Sequence, residues 1–333
     1  MMWKDKPVLV TGCTGLIGAW LTRALVARGA RVVGLVRDAV PRTTFTEWGL
    51  ASQIVVIRGD LSDYPLLVRT LAEYEIDTVF HLAALAAIPV ANRAPLATFE
   101  TNIRGTYHVL EACRRTESIQ RVIVASSDKA YGTSDHLPYV ETDVLHGDYP
   151  YDVSKSCVDL LAQSYWCAYR LPVCVTRCAN MFGAGDLQWT RIVPRTIRLA
   201  LQDEVPTIRS DGQYKRDYCY VANIVDAYLA LAVQMREVGC EGEAFNFGSE
   251  TPRTVVELVT TILTLMGKTD LLPQIYNVAS GEIKEQWLCC EKAKRLLGWQ
   301  AAIGLEPGLK ETIAWYTRYL HARPAWGAPP SAS

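Results

Sequence analysis

The chain has 333 residues, half of them apolar, and a formal net charge of -1. That size allows one large core or two unequal ones, and the balanced charge, with no Lys/Arg run, argues against nucleic-acid binding. No apolar stretch reaches membrane-spanning length, and Met1 to Lys6 lead straight into a short strand, so neither a spanning helix nor a signal peptide is expected.

Val8-Leu9-Val10 reads as the first strand, followed by Thr11-Gly12-Cys13-Thr14-Gly15-Leu16-Ile17-Gly18, which opens a helix over 16–28. Strand, glycine loop and helix in that order form a phosphate-binding context. Gly12 permits the tight turn, Gly15 lets a pyrophosphate approach the backbone, and Gly18 lets the helix pack on the sheet. The helix start then offers free N–H groups to the anion. A second strand, Val32 to Val36, ends in Arg37-Asp38. The acid suits the ribose of NAD and the arginine suits the 2'-phosphate of NADP, so both cofactors stay open. After the third strand, Ile54 to Ile57, Asp60 is placed for the adenine edge or as a helix cap. Thr78 to Leu82, Val122 to Ala125 and Pro172 to Thr176 continue the series, with amphipathic helices such as 66–74 and 103–114 between. This alternation predicts an α/β fold with a doubly wound, Rossmann-type parallel sheet.

The strand Val122 to Ala125 runs into Ser126-Ser127-Asp128-Lys129-Ala130-Tyr131-Gly132, which sets hydroxyls and charges at the ligand-binding end of the sheet. Downstream, Pro150 begins a helix that carries Tyr151 and Lys155 on one face. An adjacent ammonium favours the phenolate, so Lys155 is expected to lower the Tyr151 pKa and make it a base. Beyond Asn180 the pattern loosens into strand-like Tyr218 to Val221 and Ala244 to Phe247, with helices over 195–202, 224–235, 255–266 and 305–319. The expected layout is a cofactor domain over 1–180 with returning segments near 216–249, a smaller α/β lobe over 181–215 and 250–322, and a flexible tail over 323–333. Ten cysteines without a CxxC pair read as reduced residues of a cytoplasmic protein. Cys174 and Cys178 lack neighbouring histidines in sequence, so no metal is expected.

Taken together, the glycine loop, Gly59-Asp60-Leu61, His81-Leu82-Ala83-Ala84, Asn102-x-x-Gly105-Thr106, the Ser127, Tyr151 and Lys155 set, Arg177-x-x-Asn180-x-Phe182-Gly183 and Arg216-Asp217-Tyr218 resemble the extended short-chain dehydrogenase/reductase family. These are NAD(P)-dependent nucleotide-sugar epimerases and dehydratases, and the likeness spans about 7 to 320. The resemblance implies a Rossmann domain with a C-terminal lobe for a nucleoside-diphosphate sugar, and a homodimer joined through helices near 98–115 and 151–168. It adds Thr14, Leu16, Ile17, Leu61, Leu82, Ala83 and Ala84 to the cofactor site. It makes Tyr151 the base and Lys155 the residue that lowers its pKa and holds the nicotinamide ribose, both of them beside the cofactor, and Ser127 a hydrogen-bond partner of the sugar O4. Asn180, Arg191 and Arg216 become substrate contacts, although Asn180 can also serve loop backbone and Arg216 can pair with Asp217. Asn102 is expected to brace the active-site backbone.

Both reactions of the family begin by oxidising C4 of the sugar, but only a 4,6-dehydratase needs two further titratable groups, for C5 and C6. Asp128-Lys129 resembles the Asp-Lys of CDP-glucose 4,6-dehydratases, with Asp128 as acid and Lys129 as base; a local salt bridge or loop cap is the structural alternative. The expected function is a nucleotide-sugar 4,6-dehydratase, with a 4-epimerase of a hexose or uronic acid as the rival. A silent binding protein is disfavoured by the intact Ser127, Tyr151 and Lys155. A reductase of small carbonyls would leave the Asn180 and Arg216 motifs without a diphosphate.

Overall fold

The computed structural model describes residues 2–278 and 283–322; the tail expected over 323–333 lies outside them. Six strands, β1 (Pro7–Thr11), β2 (Arg31–Val36), β3 (Val55–Arg58), β4 (Thr78–His81), β5 (Arg121–Ala125) and β6 (Val173–Cys178), are joined by Ala244–Phe247 into one seven-stranded sheet. All its pairings are parallel, in the order Ala244–Phe247, β6, β5, β4, β1, β2, β3. The order reverses between β1 and β4, and the crevice beyond their C-terminal ends is where such sheets bind ligands. Strands inside the sheet are buried on both faces, as at Thr78–His81 and Val173–Cys178, which explains why their sequences do not alternate between apolar and exposed polar residues.

Outside the sheet, Asn180–Phe182 pairs with Tyr218–Tyr220, and Lys215–Arg216 lies between Arg253–Thr254 and Glu285–Gln286. The helices Ile192–Leu201, Val255–Leu265 and Leu305–His321 enclose a core that includes Ile197, Leu258, Ile262, Leu309 and Tyr316. The helix Val221–Gln234 instead joins the core beneath the sheet through Ile224, Tyr228 and Leu231. Local signals set several starts. Asp63 caps Tyr64–Glu73 by accepting from Leu66 N at 3.0 Å, Pro150 occupies the first turn of Pro150–Tyr169, and Thr254 and Glu257 form a reciprocal capping box.

One helix departs from the sequence pattern. The segment expected to start at Ile103 follows directly from Pro95–Phe99 through a π-helical turn, Glu100–Arg104. The widened turn carries Asn102, whose Oδ1 accepts from Leu85 N at 2.7 Å and whose Nδ2 donates to Ser154 Oγ at 2.9 Å. Polar Glu100-Thr101-Asn102 hides the continuity: Glu100 pairs with Arg104 at the surface and Asn102 braces Leu85 and Ser154, so the apolar period breaks there. Among the described residues no helix is long and apolar enough to cross a membrane.

Candidate active site

The loop after β1 is fixed by two close backbone approaches. Gly12 has φ +73°, and a Cβ there would lie 2.7 Å from Ala83 N. A Cβ on Gly18 would fall 2.0 Å from Gly12 O, so the loop folds directly onto the helix Leu16–Ala27. Beneath, Thr11 Oγ1 accepts from Leu82 N and Ala83 N, each at 3.2 Å, and its own proton goes to His81 Nδ1 at 2.8 Å. His81 Nε2 then donates to Thr106 Oγ1 at 2.9 Å, because that hydroxyl spends its proton on Asn102 O. Burial, with Lys155 adding to it, pushes the imidazole down to about 3, so His81 is a neutral strut between β1, β4 and the helix Gly105–Arg114.

Above the loop lies a cleft of about 240 Å³ whose walls include Gly12, Thr14, Gly15, Arg37, Asp38, Asp60, Leu61, Leu82, Ala83 and Ala84. Gly59 of the Gly59-Asp60-Leu61 motif also lines it, as do Leu35, Val40 and Thr101, which the sequence does not single out. Three expected cofactor residues stand behind the wall: Gly18 packs on the loop, while Leu16 and Ile17 turn to hydrophobic clusters. Arg37 Nε donates to Asp38 Oδ2 at 2.7 Å and lies 4.0 Å from Asp60. Asp60 caps no helix; it accepts from Ser62 N at 2.8 Å, and this bond leads the causes that lower its pKa. A glycine cradle backed by a helix start, with an exposed acid at the end of β2, fits an adenine dinucleotide.

At the end of β5, Ser127 begins a short 3₁₀ turn, Asp128–Tyr131, and accepts from Lys129 N at 3.3 Å. Ser126 Oγ donates to Lys155 O at 3.1 Å and Lys155 Nζ donates to Ala125 O at 2.6 Å, which ties the turn to the helix Pro150–Tyr169. Burial pushes the Lys155 ammonium down to about 8. The expected lowering of the Tyr151 phenol by Lys155 is not found. Nζ is turned to the Ala125 carbonyl, 5.9 Å from the Tyr151 ring centre, and burial raises the phenol to about 12. The opposing contributions come first from the Arg191 cation and then from a hydrogen bond with Ser127.

Asp128 is 2% exposed, and its Oδ1 accepts from Ser127 Oγ at 3.0 Å. Burial raises its carboxyl pKa, against lowering by Lys129, Ser127 and Arg216. Lys129 Nζ donates to Gln286 Oε1 at 3.0 Å, a partner that no local pattern announces. A second buried acid, Asp152, also escaped the sequence reading: burial raises it to about 6, with Lys129 lowering and Asp128 raising it.

The expected diphosphate contacts fare differently. Arg216 donates to Lys215 O at 2.8 Å, to Lys284 O at 2.9 Å and to Ile283 O. Asp217 accepts from Ser249 and Glu250, so the Arg216–Asp217 pair allowed by sequence does not form. Asn180 stands on its short strand opposite Tyr218, and its backbone N donates to Asp217 O at 3.1 Å. Arg191, preceding the helix Ile192–Leu201, pairs with Asp186 at 3.2 Å and is the cation acting most on Tyr151. Arg177 is structural: it forms two bonds with Asp159, at 2.7 and 2.9 Å, and one to Tyr131 at 2.8 Å.

A family model described as GDP-mannose 4,6 dehydratase matches residues 9–312. The chain is 28% identical to the CDP-glucose 4,6-dehydratase of Salmonella typhimurium, over 96% of this chain and 92% of that one. Among solved structures, DesIV, the dTDP-glucose 4,6-dehydratase of Streptomyces venezuelae with NAD bound, superposes with a TM-score of 0.86 at 25% identity, covering 94% of this chain and 97% of its own. The UDP-glucose 4-epimerase of Thermotoga maritima, with UDP-glucose, gives 0.87 at 27% identity, covering 94% and 99%. With its seven-stranded sheet, glycine cradle and Ser127, Tyr151 and Lys155 cluster, the chain belongs to the GDP-mannose 4,6 dehydratase family, within the extended short-chain dehydrogenase/reductases.

Proposed function

We propose that the protein is an NAD-dependent nucleotide-sugar 4,6-dehydratase, converting an NDP-hexose to its 4-keto-6-deoxy form. The observation that carries this reading is Asp128: a carboxyl directly after Ser127, buried, with a raised pKa and one oxygen, Oδ2, without a protein partner among the described residues. A carboxyl held neutral is an acid ready to protonate a departing hydroxyl. An epimerase has no use for one, since it only takes a hydride from C4 and returns it to the other face.

The residues divide the work. Ser127 and Tyr151 receive the C4 hydroxyl, and Tyr151 takes its proton, with the Arg191 charge favouring the phenolate. Lys129 removes the C5 proton while Asp128 protonates the C6 hydroxyl, and water leaves. When bound, NAD supplies the acceptor for the C4 hydride, its return to C6, and a positive charge that helps Tyr151 ionise. Gly12, Thr14, Gly15, Asp38, Asp60 and Leu82 to Ala84 would hold it. The neighbour with bound NAD and the engagement of Arg37 by Asp38 both favour NAD over NADP. Asn180, Arg191 and Arg216 remain the proposed contacts of the nucleoside-diphosphate sugar. For Arg216 this requires sharing, because its guanidinium already serves three carbonyls.

A homodimer through the faces bearing Tyr107 and Leu160, both exposed on the helices Gly105–Arg114 and Pro150–Tyr169, completes the proposal. All ten cysteines are free, which fits a cytoplasmic setting. The test is a panel of CDP-, GDP-, UDP- and dTDP-hexoses and UDP-glucuronic acid, incubated with NAD or NADP and read by product mass. Loss of one water from a hexose supports the dehydratase and names its nucleotide. An isobaric product with inverted C4 supports the epimerase and leaves Asp128 and Lys129 as structural residues.

A further inference from the structure

Gln286 ends the two-residue strand Glu285–Gln286 and lies opposite Arg216 in a parallel pair. Its side chain is wholly buried. The surrounding main chain is fastened on both sides: Asp217 N donates to Gln286 O at 3.3 Å, and Tyr139 N donates to Trp287 O at 3.0 Å. While Oε1 accepts from Lys129 Nζ at 3.0 Å, Nε2 is buried without a partner among the described residues. The same holds for Oδ2 of Asp128, next in sequence to Lys129. An unpartnered buried amide is destabilising, and a leucine or methionine would avoid that cost. A carboxamide kept here is explained by a partner from outside the chain. The ligand group that suits an unpartnered N–H donor is a hydroxyl, which accepts there and keeps its own proton for an acceptor such as a carboxyl.

We propose that Gln286 is a positioning and specificity residue: its Oε1 holds Lys129 Nζ in place and its Nε2 donates to a hydroxyl oxygen of the sugar. This inference rests on the dehydratase reading. In the step it serves, the C5–H bond breaks and its proton goes to Nζ, the electron pair forms the C5–C6 double bond, and the C6–O bond breaks as Asp128 supplies a proton to release water. Lys129 then returns a proton to C5 as C6 receives the hydride that bound NAD would supply. Lys129 must therefore be neutral before the step and an ammonium after it. Among the described residues, the titratable groups it acts on include Asp128 on its own turn and Asp152 on the helix Pro150–Tyr169, with Arg216 acting on the first acid and Asp148 on the second. A carboxylate at position 286 would favour the ammonium, whereas an uncharged amide holds Nζ without doing so.

The test compares full-length wild type, Gln286→Glu and Gln286→Met, following single-turnover cofactor reduction, water loss and their pH profiles. In Gln286→Glu the new carboxylate raises the Lys129 pKa. Water loss should fall at least about tenfold more than cofactor reduction, with its rising pH limb moved up by about one unit and the rate recovering at high pH. In Gln286→Met the loss should come with a raised KM and without recovery at high pH. Water loss in both variants at the wild-type rate and pH profile overturns the inference. So does a parallel fall in both steps with a lowered melting temperature, which marks a purely structural residue. If wild type itself releases no water from any hexose, the dehydratase reading fails and this inference with it. If wild type does and Gln286→Glu matches it, only the role of Gln286 fails.

Discussion

The two halves of the crevice use charge in opposite ways. At the cofactor end Arg37 and Asp38 are 58% and 61% exposed, and their ion pair sits in water, where it contributes little. Selectivity there comes from shape: a backbone cradle closed by Gly12 and Gly18 and braced by the neutral His81. At the sugar end Asp128, Tyr151 and Lys155 are all less than a tenth exposed, and burial is the leading cause of each pKa shift. Burial favours the protonated forms of Asp128 and Tyr151 and weakens Lys155's hold on its proton. The first region binds without doing chemistry; the second can do chemistry because solvent no longer sets its proton affinities.

Substitutions should separate the two regions in order of effect. Tyr151→Phe removes the acceptor of the C4 hydroxyl proton, so cofactor reduction and product formation should both fall by about 10²–10⁴-fold in single-turnover assays. Retention of substantial turnover sinks the assignment of the base. Asp128→Asn keeps the shape but not the acid, and water loss should fall about 10²-fold while cofactor reduction falls far less. The same residue sets a pH dependence with a definite sign. Because its pKa is raised and the protonated form is the active one, the wild-type elimination rate should decline as pH rises through that value. Asp128→Asn should lack this limb; an equal loss of both steps would place Asp128 outside the elimination.

At the cofactor end the effects should be smaller. Asp38→Ala removes a ribose acceptor and should weaken NAD binding about tenfold by calorimetry, with little change in the rate of water loss at saturating cofactor. Arg37→Gln, which breaks only an exposed pair, should change NAD affinity by less than about threefold. A tenfold loss there would show that the arginine does more than hold Asp38.

The parts of this contrast that sequence could disclose are those encoded locally. The strands from Val8 to Phe247, the glycine loop and the Tyr151 and Lys155 spacing depend on neighbours within one turn or one strand, and the observed elements fall close to where the pattern puts them. What sequence could not disclose comes from distant segments meeting. Gln286 reaches Lys129 across 157 positions, and Arg216 is engaged by carbonyls of Ile283 and Lys284. The expected lowering of the Tyr151 pKa fails for the same reason: spacing shows that Lys155 shares its helix face, but not that Nζ turns to Ala125 or how deeply the phenol is buried. Asp152 lies inside the recognised helix start, yet only burial near Lys129 and Asp128 distinguishes it from a solvated first-turn acid.

The most direct test of the central claim is to run the reaction in heavy water with the accepted NDP-hexose and examine the product by NMR and mass spectrometry. A dehydratase must break the C5–H bond and later reprotonate C5 from an exchangeable group, so the account predicts loss of one water, a new C6 methyl group carrying the former C4 hydrogen, and one deuterium at C5. A product of unchanged composition, inverted at C4 and free of solvent deuterium, would contradict it.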